Sequence, residues 1–230
     1  MNRFTFLLLL LPFQLLAQDS LSVNQETYFA DGIYMEHEDL ISNNPSYTWD
    51  IVDTEAFIDE DNGFVTFNPI KIFKDGQLLE IPTKDLWGVV MEGKFYINLE
   101  RTNREVQLVE VGKEPVRFVR LQAVGNLCYF YYLGYVKEKV PISVYHPRTG
   151  TKLQTSHVEN MKSVVVKKIL KFDTGQLYAY NLRTFKDLIK DDLSLWATIN
   201  DLPEDEARQK MFRSLFIYND RNPVFFKPFR

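Results

Sequence analysis

The sequence predicts an α+β fold, with an antiparallel, β-rich N-terminal lobe followed by a helical C-terminal lobe. Three observations carry this prediction. Runs of β-forming residues are separated by tight-turn pairs, of which Asp75-Gly76 and Glu92-Gly93 are the strongest. After about residue 155 the apolar residues recur at helical spacing. Near the end, Pro203 precedes three acidic residues, which is typical of the start of a helix.

The composition is that of an ordinary globular protein. Of 230 residues, 45% are hydrophobic and 25% are charged, which excludes a disordered or collagen-like chain. A chain of this length buries enough surface to fold without a metal or disulfide. Its one cysteine, Cys128, lies in an apolar run and has no neighbouring cation, so we expect a buried free thiol.

Residues 1–17 have the layout of a secretory signal peptide. Arg3 precedes an apolar run, and Ala17 is followed by polar residues, so we expect cleavage between Ala17 and Gln18. The apolar run is too short to cross a bilayer, and no later segment is long and apolar enough to do so. We therefore expect a soluble protein of residues 18–230, in the periplasm or outside the cell, with no integral membrane insertion after cleavage.

The β-rich lobe is expected over about residues 28–154. Residues 32–34 predict a short strand, and residues 36–42 predict a short helix that ends before Pro45. Two hairpins are expected to follow, centred on the two tight-turn pairs. A further hairpin is expected around Pro147-Arg148-Thr149-Gly150, with the glycine in a left-handed conformation.

The helical lobe is expected over about residues 155–222. Ser156 and Glu159 have the spacing of a capping box. Apolar residues then follow at helical spacing: Val158, Met161, Val165 and Ile169. Shorter helices are expected over residues 184–189 and 193–199, and the best-patterned helix from Pro203 to about Asn219. We predict a single domain that ends in an aromatic tail, residues 223–230, with two small domains as the alternative.

Motifs for common chemistries are incomplete. Gly88 to Lys94 matches the start of a phosphate-binding loop, but Phe95 stands where that loop needs a hydroxyl. Asp59 and Asp61 belong to an acidic segment and are weak candidates for calcium, since aligning Gly63 with an EF-hand puts Ile58 at the first ligand position. We predict no zinc site, no cofactor and, from the net charge of -4, no nucleic-acid partner.

Aromatic residues are the candidates for binding. Trp87 is expected in a strand, where it packs in the core or presents a surface to a ligand. The tail is rich in aromatic rings, which would form an apolar patch if they were left exposed. We therefore expect the tail to pack on the body or to bind a partner. Its candidate binding residues are Phe225, Phe226 and Phe229.

Several short motifs resemble a family of uncharacterised exported proteins of Gram-negative bacteria. They are Gly32-Ile33-Tyr34 with Asn43-Asn44-Pro45-Ser46, Leu86-Trp87-Gly88-Val89, Phe95-Tyr96-Ile97-Asn98, Tyr218-Asn219 and Asn222-Pro223. Met35-Glu36 departs from the Thr or Ser that the family has before its first helix. The resemblance implies export and a two-lobed architecture. It implies no reaction, because that family has no established activity.

The sequence therefore predicts a non-enzymatic binding protein of the cell envelope, whose partner is an envelope protein or a small ligand. A signal peptide without a catalytic motif favours this hypothesis. Two alternatives remain open: a carboxylate-dependent hydrolase of envelope or dietary polymers, and a structural or assembly component of an envelope complex.

Overall fold

A computed structural model describes residues 21–59, 63–74, 76–102 and 115–227 of the chain. The predicted signal peptide, Asp61 and Phe229 lie outside these residues.

Fourteen strands are present in the described part of the chain. They are β1 (Ser22–Val23), β2 (Gly32–Tyr34), β3 (Val52–Asp53), β4 (Ala56–Asp59), β5 (Phe64–Phe67), β6 (Ile70–Lys74), β7 (Gln77–Ile81), β8 (Gly88–Met91), β9 (Lys94–Asn98), β10 (Arg117–Arg120), β11 (Leu127–Tyr145), β12 (Lys152–Lys171), β13 (Gln176–Ala179) and β14 (Val224–Phe225). All their pairings are antiparallel, and short turns join the paired strands β6–β7, β8–β9 and β11–β12.

Five helices are described, and the last three carry the C-terminal part of the fold. They are α1 (His37–Ser42), α2 (Leu99–Thr102), α3 (Leu182–Leu188), α4 (Leu193–Asn200) and α5 (Glu204–Arg221). Asn181 and Asp192 cap α3 and α4, since each side chain accepts a hydrogen bond from a backbone N–H in the first turn. None of the described helices has the length and apolar character needed to span a membrane.

The strands form three larger sheets and one short pair. The largest has the order β2-β8-β9-β10-β5-β4, and the other two have the orders β3-β6-β7 and β11-β12-β13. Strand β1 pairs with β14, which brings the N-terminal and C-terminal ends of the described chain together.

The sheets and helices stack in four layers with three cores between them. One core lies between the β3-β6-β7 sheet and the six-stranded sheet, and includes Phe67 and Phe118. A second lies between the six-stranded sheet and the β11–β12 pair, and includes Phe95 and Phe130. The third lies between the β11–β12 pair and helices α3 to α5, and includes Tyr129.

The first residues of β11 therefore face two cores. Side chains alternate across a strand. Cys128, Phe130 and Tyr132 pack in the core of the six-stranded sheet, whereas Leu127 and Tyr129 pack against the helices. Burial on both sides explains why this segment is a continuous apolar run rather than an alternating one.

Asn219 joins α5 to the start of β11. Its side-chain oxygen accepts a hydrogen bond from the Leu127 N–H at 2.8 Å, and its Nδ2 donates to the Leu127 carbonyl at 3.0 Å. Asn219 is 8% exposed and Leu127 is fully buried. The amide side chain thus satisfies both backbone groups of a buried residue that lies at an end of its strand.

The predicted hairpins are confirmed. Strand β6 pairs with β7 from Ile70 opposite Ile81 to Lys74 opposite Gln77, and β8 pairs with β9 around the Glu92-Gly93 turn. Gly150 lies in the turn between β11 and β12 and has a φ of 65°, as predicted. The short helix over residues 36–42 and the helices in the last part of the chain are also present.

The predicted layout, a β-rich lobe followed by a helical lobe from about residue 155, is wrong. The segment predicted as the first helix of the helical lobe is strand β12, which pairs residue by residue with β11. After β12 the next helix, α3, begins only at Leu182, and β14 follows the three C-terminal helices. Met161, Val165 and Ile169 are four residues apart, a spacing that places side chains on one face of a helix and equally on one face of a strand. The β-branched run Val164-Val165-Val166 favours the strand.

We expect Asn219→Ala to destabilise the fold by about 2–4 kcal/mol, because it leaves the buried N–H and C=O of Leu127 without partners. Urea unfolding followed by circular dichroism measures the change. Asp220→Ala, on the exposed side of the same helix, is the control and should change stability by less than about 0.5 kcal/mol. Equal effects of the two substitutions would contradict this role of Asn219.

Candidate functional site

Strands β11 and β12 continue well beyond the cores that cover their base. Strand β13 pairs only with Lys168–Lys171 of β12, and the described contacts of the body with β11 end near Leu133 and Tyr135. Residues 135–163 then form a two-stranded ribbon, from Tyr135 opposite Ser163 to Tyr145 opposite Lys152. At about 3.4 Å per residue this ribbon, called the arm below, is roughly 35 Å long.

One face of the arm carries a row of apolar side chains near its tip. Directly opposed residues of an antiparallel pair lie on the same face. Val140 stands opposite Val158, and Ile142 and Val144 follow on the same face. Their exposed fractions lie between 38% and 48%. Valine and isoleucine favour strands, so this row stabilises the ribbon and at the same time presents an apolar surface.

The other face carries apolar and aromatic side chains closer to the body. Tyr135 and Met161 are each 39% exposed, and Val165, just below the arm, is 54% exposed. Tyr131, two residues before Leu133 on the same face of β11, is 44% exposed. The ribbon is thus apolar on one face at its tip and on the opposite face at its base.

The tip is closed by a turn that uses both glycine and histidine. The Gly150 N–H donates to the His146 carbonyl at 2.9 Å, and the His146 N–H donates to the Thr151 carbonyl at 2.8 Å. The backbone N–H groups of Arg148 and Thr149 donate to Nδ1 of the His146 ring at 3.3 Å. These bonds hold the two strand ends in register at the far end of the arm.

The arm is positively charged, although the whole chain has a net charge of -4. Its carboxylates are Glu138 and Glu159, and its cations are Lys137, Lys139, Arg148, Lys152 and Lys162. Two ion pairs cross the ribbon, Lys137 with Glu159 at 3.5 Å and Lys162 with Glu138 at 3.6 Å. Exposed pairs of this kind contribute only about 0–1 kcal/mol each. The remaining three cations lie nearer the tip and give it a positive potential.

Trp87, predicted either for the core or for ligand binding, is buried in the described structure. It is 8% exposed, and its indole ring packs edge-on against the His37 ring, with 5.4 Å between ring centroids. His37 Nε2 lies 2.8 Å from the Phe172 carbonyl oxygen. Burial is the main cause that lowers the pKa of His37. A role for Trp87 in ligand binding stays a prediction.

The tail lies on the body as far as Lys227. Phe226 packs between the rings of Phe29 and Phe172, at 5.8 and 6.0 Å between centroids. The Lys227 N–H donates to the Ile41 carbonyl at 2.7 Å. Phe225 points outward and is 45% exposed. Of the two described candidates for partner binding in the tail, Phe225 is therefore the accessible one.

Asp59 ends strand β4 and lines a cleft at the base of the arm. Its predicted calcium partner, Asp61, lies outside the described residues. Within the described ranges no group of three or more histidine, cysteine, aspartate or glutamate side chains is placed to hold a metal ion.

Cys128 lies in the core between the six-stranded sheet and β11–β12. The thiol is fully buried and its Sγ is 3.3 Å from the Gly125 carbonyl oxygen. Burial raises the pKa of the Cys128 thiol to about 12. At neutral pH the group is a thiol, which packs as a small apolar side chain and is a poor nucleophile.

Sequence reasoning predicted the turn at Gly150 but missed the arm. The signal that could have revealed it is the strand-forming run of tyrosine, valine and isoleucine before that turn, matched after the turn by the β-branched run Val164-Val165-Val166. The helical interpretation of residues 155–169 concealed it, because a ribbon needs both of its strands.

Comparison with known proteins adds no template for this arrangement. No family model matches the chain, and neither the curated proteins nor the solved structures include a significant match. The resemblance to exported proteins therefore rests on the short motifs alone.

We expect Phe226→Ala to destabilise the protein by about 2 kcal/mol, because a half-buried ring is removed from between two others. Phe225→Ala is the matched control and should change the free energy of unfolding by less than about 0.5 kcal/mol. Thermal or urea unfolding of both variants measures the difference. A tail that contributes nothing to folding would give the same small value for both.

We expect Cys128 to resist alkylation in the folded protein. With a pKa of about 12, roughly one thiol in 10⁴ is ionised at pH 8, and burial blocks the reagent as well. Mass spectrometry after iodoacetamide treatment should find the thiol unmodified in buffer and fully modified in 8 M urea. Rapid labelling in buffer would show that the core around Cys128 opens readily.

Proposed function

We propose that this chain is an exported, non-enzymatic binding protein of the cell envelope, and that the arm holds a partner protein. The partner surface that fits is apolar at its centre and acidic around it. The hydrolase alternative stays a prediction, and an assembly role is compatible with the same arm.

The observation that carries the proposal is the exposed apolar row near the tip: Val140, Ile142, Val144 and Val158. An isolated two-stranded ribbon is at best marginally stable in water, and soluble proteins rarely keep contiguous apolar patches exposed. A partner that covers this row removes apolar surface from water, and that burial drives association.

The charge of the arm supports the chemistry of the partner. Lys139, Arg148 and Lys152 surround the apolar row without an ion pair among the described residues. Acidic groups at the rim of a partner surface would attract them, raise the rate of encounter and set the orientation. Binding by this route weakens as salt is added, because exposed charges are screened.

The outer edge of β12 offers a second contribution to partner binding, through backbone hydrogen bonds. On its outer edge, β12 pairs with β13 only at Lys168–Lys171 in the described structure. Residues 152–166 therefore present a strand edge on which an extended segment of a partner can add a further strand. Main-chain hydrogen bonds would then supply affinity, while the apolar row supplies selectivity.

The experiment uses a photo-crosslinking amino acid at Ser156, which is opposite Ile142 on the apolar face. After the cross-linked protein is identified, its purified form is titrated against wild-type chain and two triple variants. The arm variant carries Val140→Thr, Ile142→Thr and Val158→Thr, which keep strand propensity. The matched control carries Ile58→Thr, Leu78→Thr and Leu79→Thr, at exposed strand positions outside the arm.

We expect the arm variant to raise the Kd of the purified partner by about tenfold or more and the control to leave it unchanged. The Kd should also rise several-fold between 50 and 300 mM salt. Equal affinities for the wild type and the arm variant, with both folded by circular dichroism, would sink the proposal. An affinity that does not change with salt would contradict the proposal that the partner surface is acidic.

A further inference from the structure

A cleft of about 420 Å³ lies where the arm leaves the body. It separates β11 from strands β4, β5 and β10 of the six-stranded sheet. Its lining is part apolar and part charged: Asp59, Phe64, Thr66, Pro115, Arg117, Leu133 and Tyr135. The volume is within the range of small-molecule sites.

Arg117 lies half-buried in this cleft and is incompletely paired. Its guanidinium carbon is 5.6 Å from the centre of the Phe64 ring, and its Nη1 donates one long hydrogen bond, 3.4 Å, to the Leu133 carbonyl. No ion pair joins it to another described residue. A guanidinium has five N–H donors, so most of its capacity is left for an anionic ligand, above all a carboxylate.

Asp59 approaches the same cleft from the other side of β5. Asp59 stands opposite Phe64, and Arg117 stands opposite Thr66. Since Phe64 and Thr66 are two residues apart, all four side chains share one face of the sheet. Strand spacing and rise place the Cα atoms of Asp59 and Arg117 roughly 12 Å apart. A negative and a positive side chain thus flank the cleft, with the Phe64 ring between their strands.

The remaining wall is uncharged and largely apolar. Phe64, Pro115 and Leu133 offer no charge, and the other lining residues, Thr66 and Tyr135, are uncharged as well. The cleft thus has a positive side chain, a negative side chain and an apolar wall. A ligand that fits all three carries a carboxylate for Arg117, an ammonium group for Asp59 and an apolar side chain for the wall.

We propose that the cleft at the base of the arm binds a small zwitterion with an apolar side chain, the chemistry of an apolar amino acid. Arg117 receives the carboxylate, Asp59 faces the ammonium group, and the Phe64 ring contacts the side chain. This inference is independent of what the arm binds.

Three probes that differ by one group test the proposal by isothermal titration calorimetry. They are L-phenylalanine, 3-phenylpropionate, which lacks the ammonium group, and 2-phenylethylamine, which lacks the carboxylate. We expect L-phenylalanine to bind at least about tenfold more tightly than either analogue. Because these comparisons use the wild-type protein, they do not depend on the folding of a variant.

Two variants then assign the contacts. Arg117→Gln should weaken L-phenylalanine and 3-phenylpropionate by about tenfold or more and leave 2-phenylethylamine unchanged. Asp59→Asn should reduce the affinity for L-phenylalanine to that for 3-phenylpropionate. Arg120→Gln is the control, since Arg120 lies on the same strand but on the opposite face.

Three results would overturn the proposal. One is the absence of binding heat for all three probes up to about 10 mM, which corresponds to an affinity too weak to matter. Another is an analogue that binds as tightly as L-phenylalanine. The third is an Arg117→Gln variant that is folded and binds like Arg120→Gln.

Discussion

The fold depends on one constraint: the first residues of β11 must fill two cores at once. Phe130 and Tyr132 face the six-stranded sheet, and Leu127 and Tyr129 face the helices. Fixed on both sides, the base of the β11–β12 pair cannot rotate without opening two cores, and apolar burial resists that opening. Asn219 adds the hydrogen bonds that anchor the start of the strand to α5.

That anchoring explains how a long ribbon can leave the body in a defined direction. The arm is stabilised by cross-strand pairs, such as Val140 with Val158, and by two exposed ion pairs. No layer of the described structure covers these contacts. Their contributions are small individually, so the arm has less packing support than the base of the same two strands. The base is packed between two cores, and the cleft lies where the arm leaves that base.

Local turn chemistry accounts for the predictions that the structure confirmed. Glu92-Gly93 and Gly150 each require a left-handed conformation, and the strands on either side pair through them. The caps of α3 and α4, Asn181 and Asp192, act in the same local way, although the sequence analysis did not single them out. The error over residues 155–169 came from two signals, the Ser156–Glu159 capping-box spacing and the periodicity, because both spacings also occur within a strand.

From the sequence alone follow the turns, the starts of the last two helices and the burial of Cys128, all of which depend on neighbours along the chain. Export stays a prediction from residues 1–17. Only the tertiary structure decides that β12 is a strand, that Arg117 and Asp59 flank one cleft, and that Phe226 is covered while Phe225 is exposed. These outcomes depend on pairing between residues far apart in sequence, and the energy of such contacts is set by which surfaces meet.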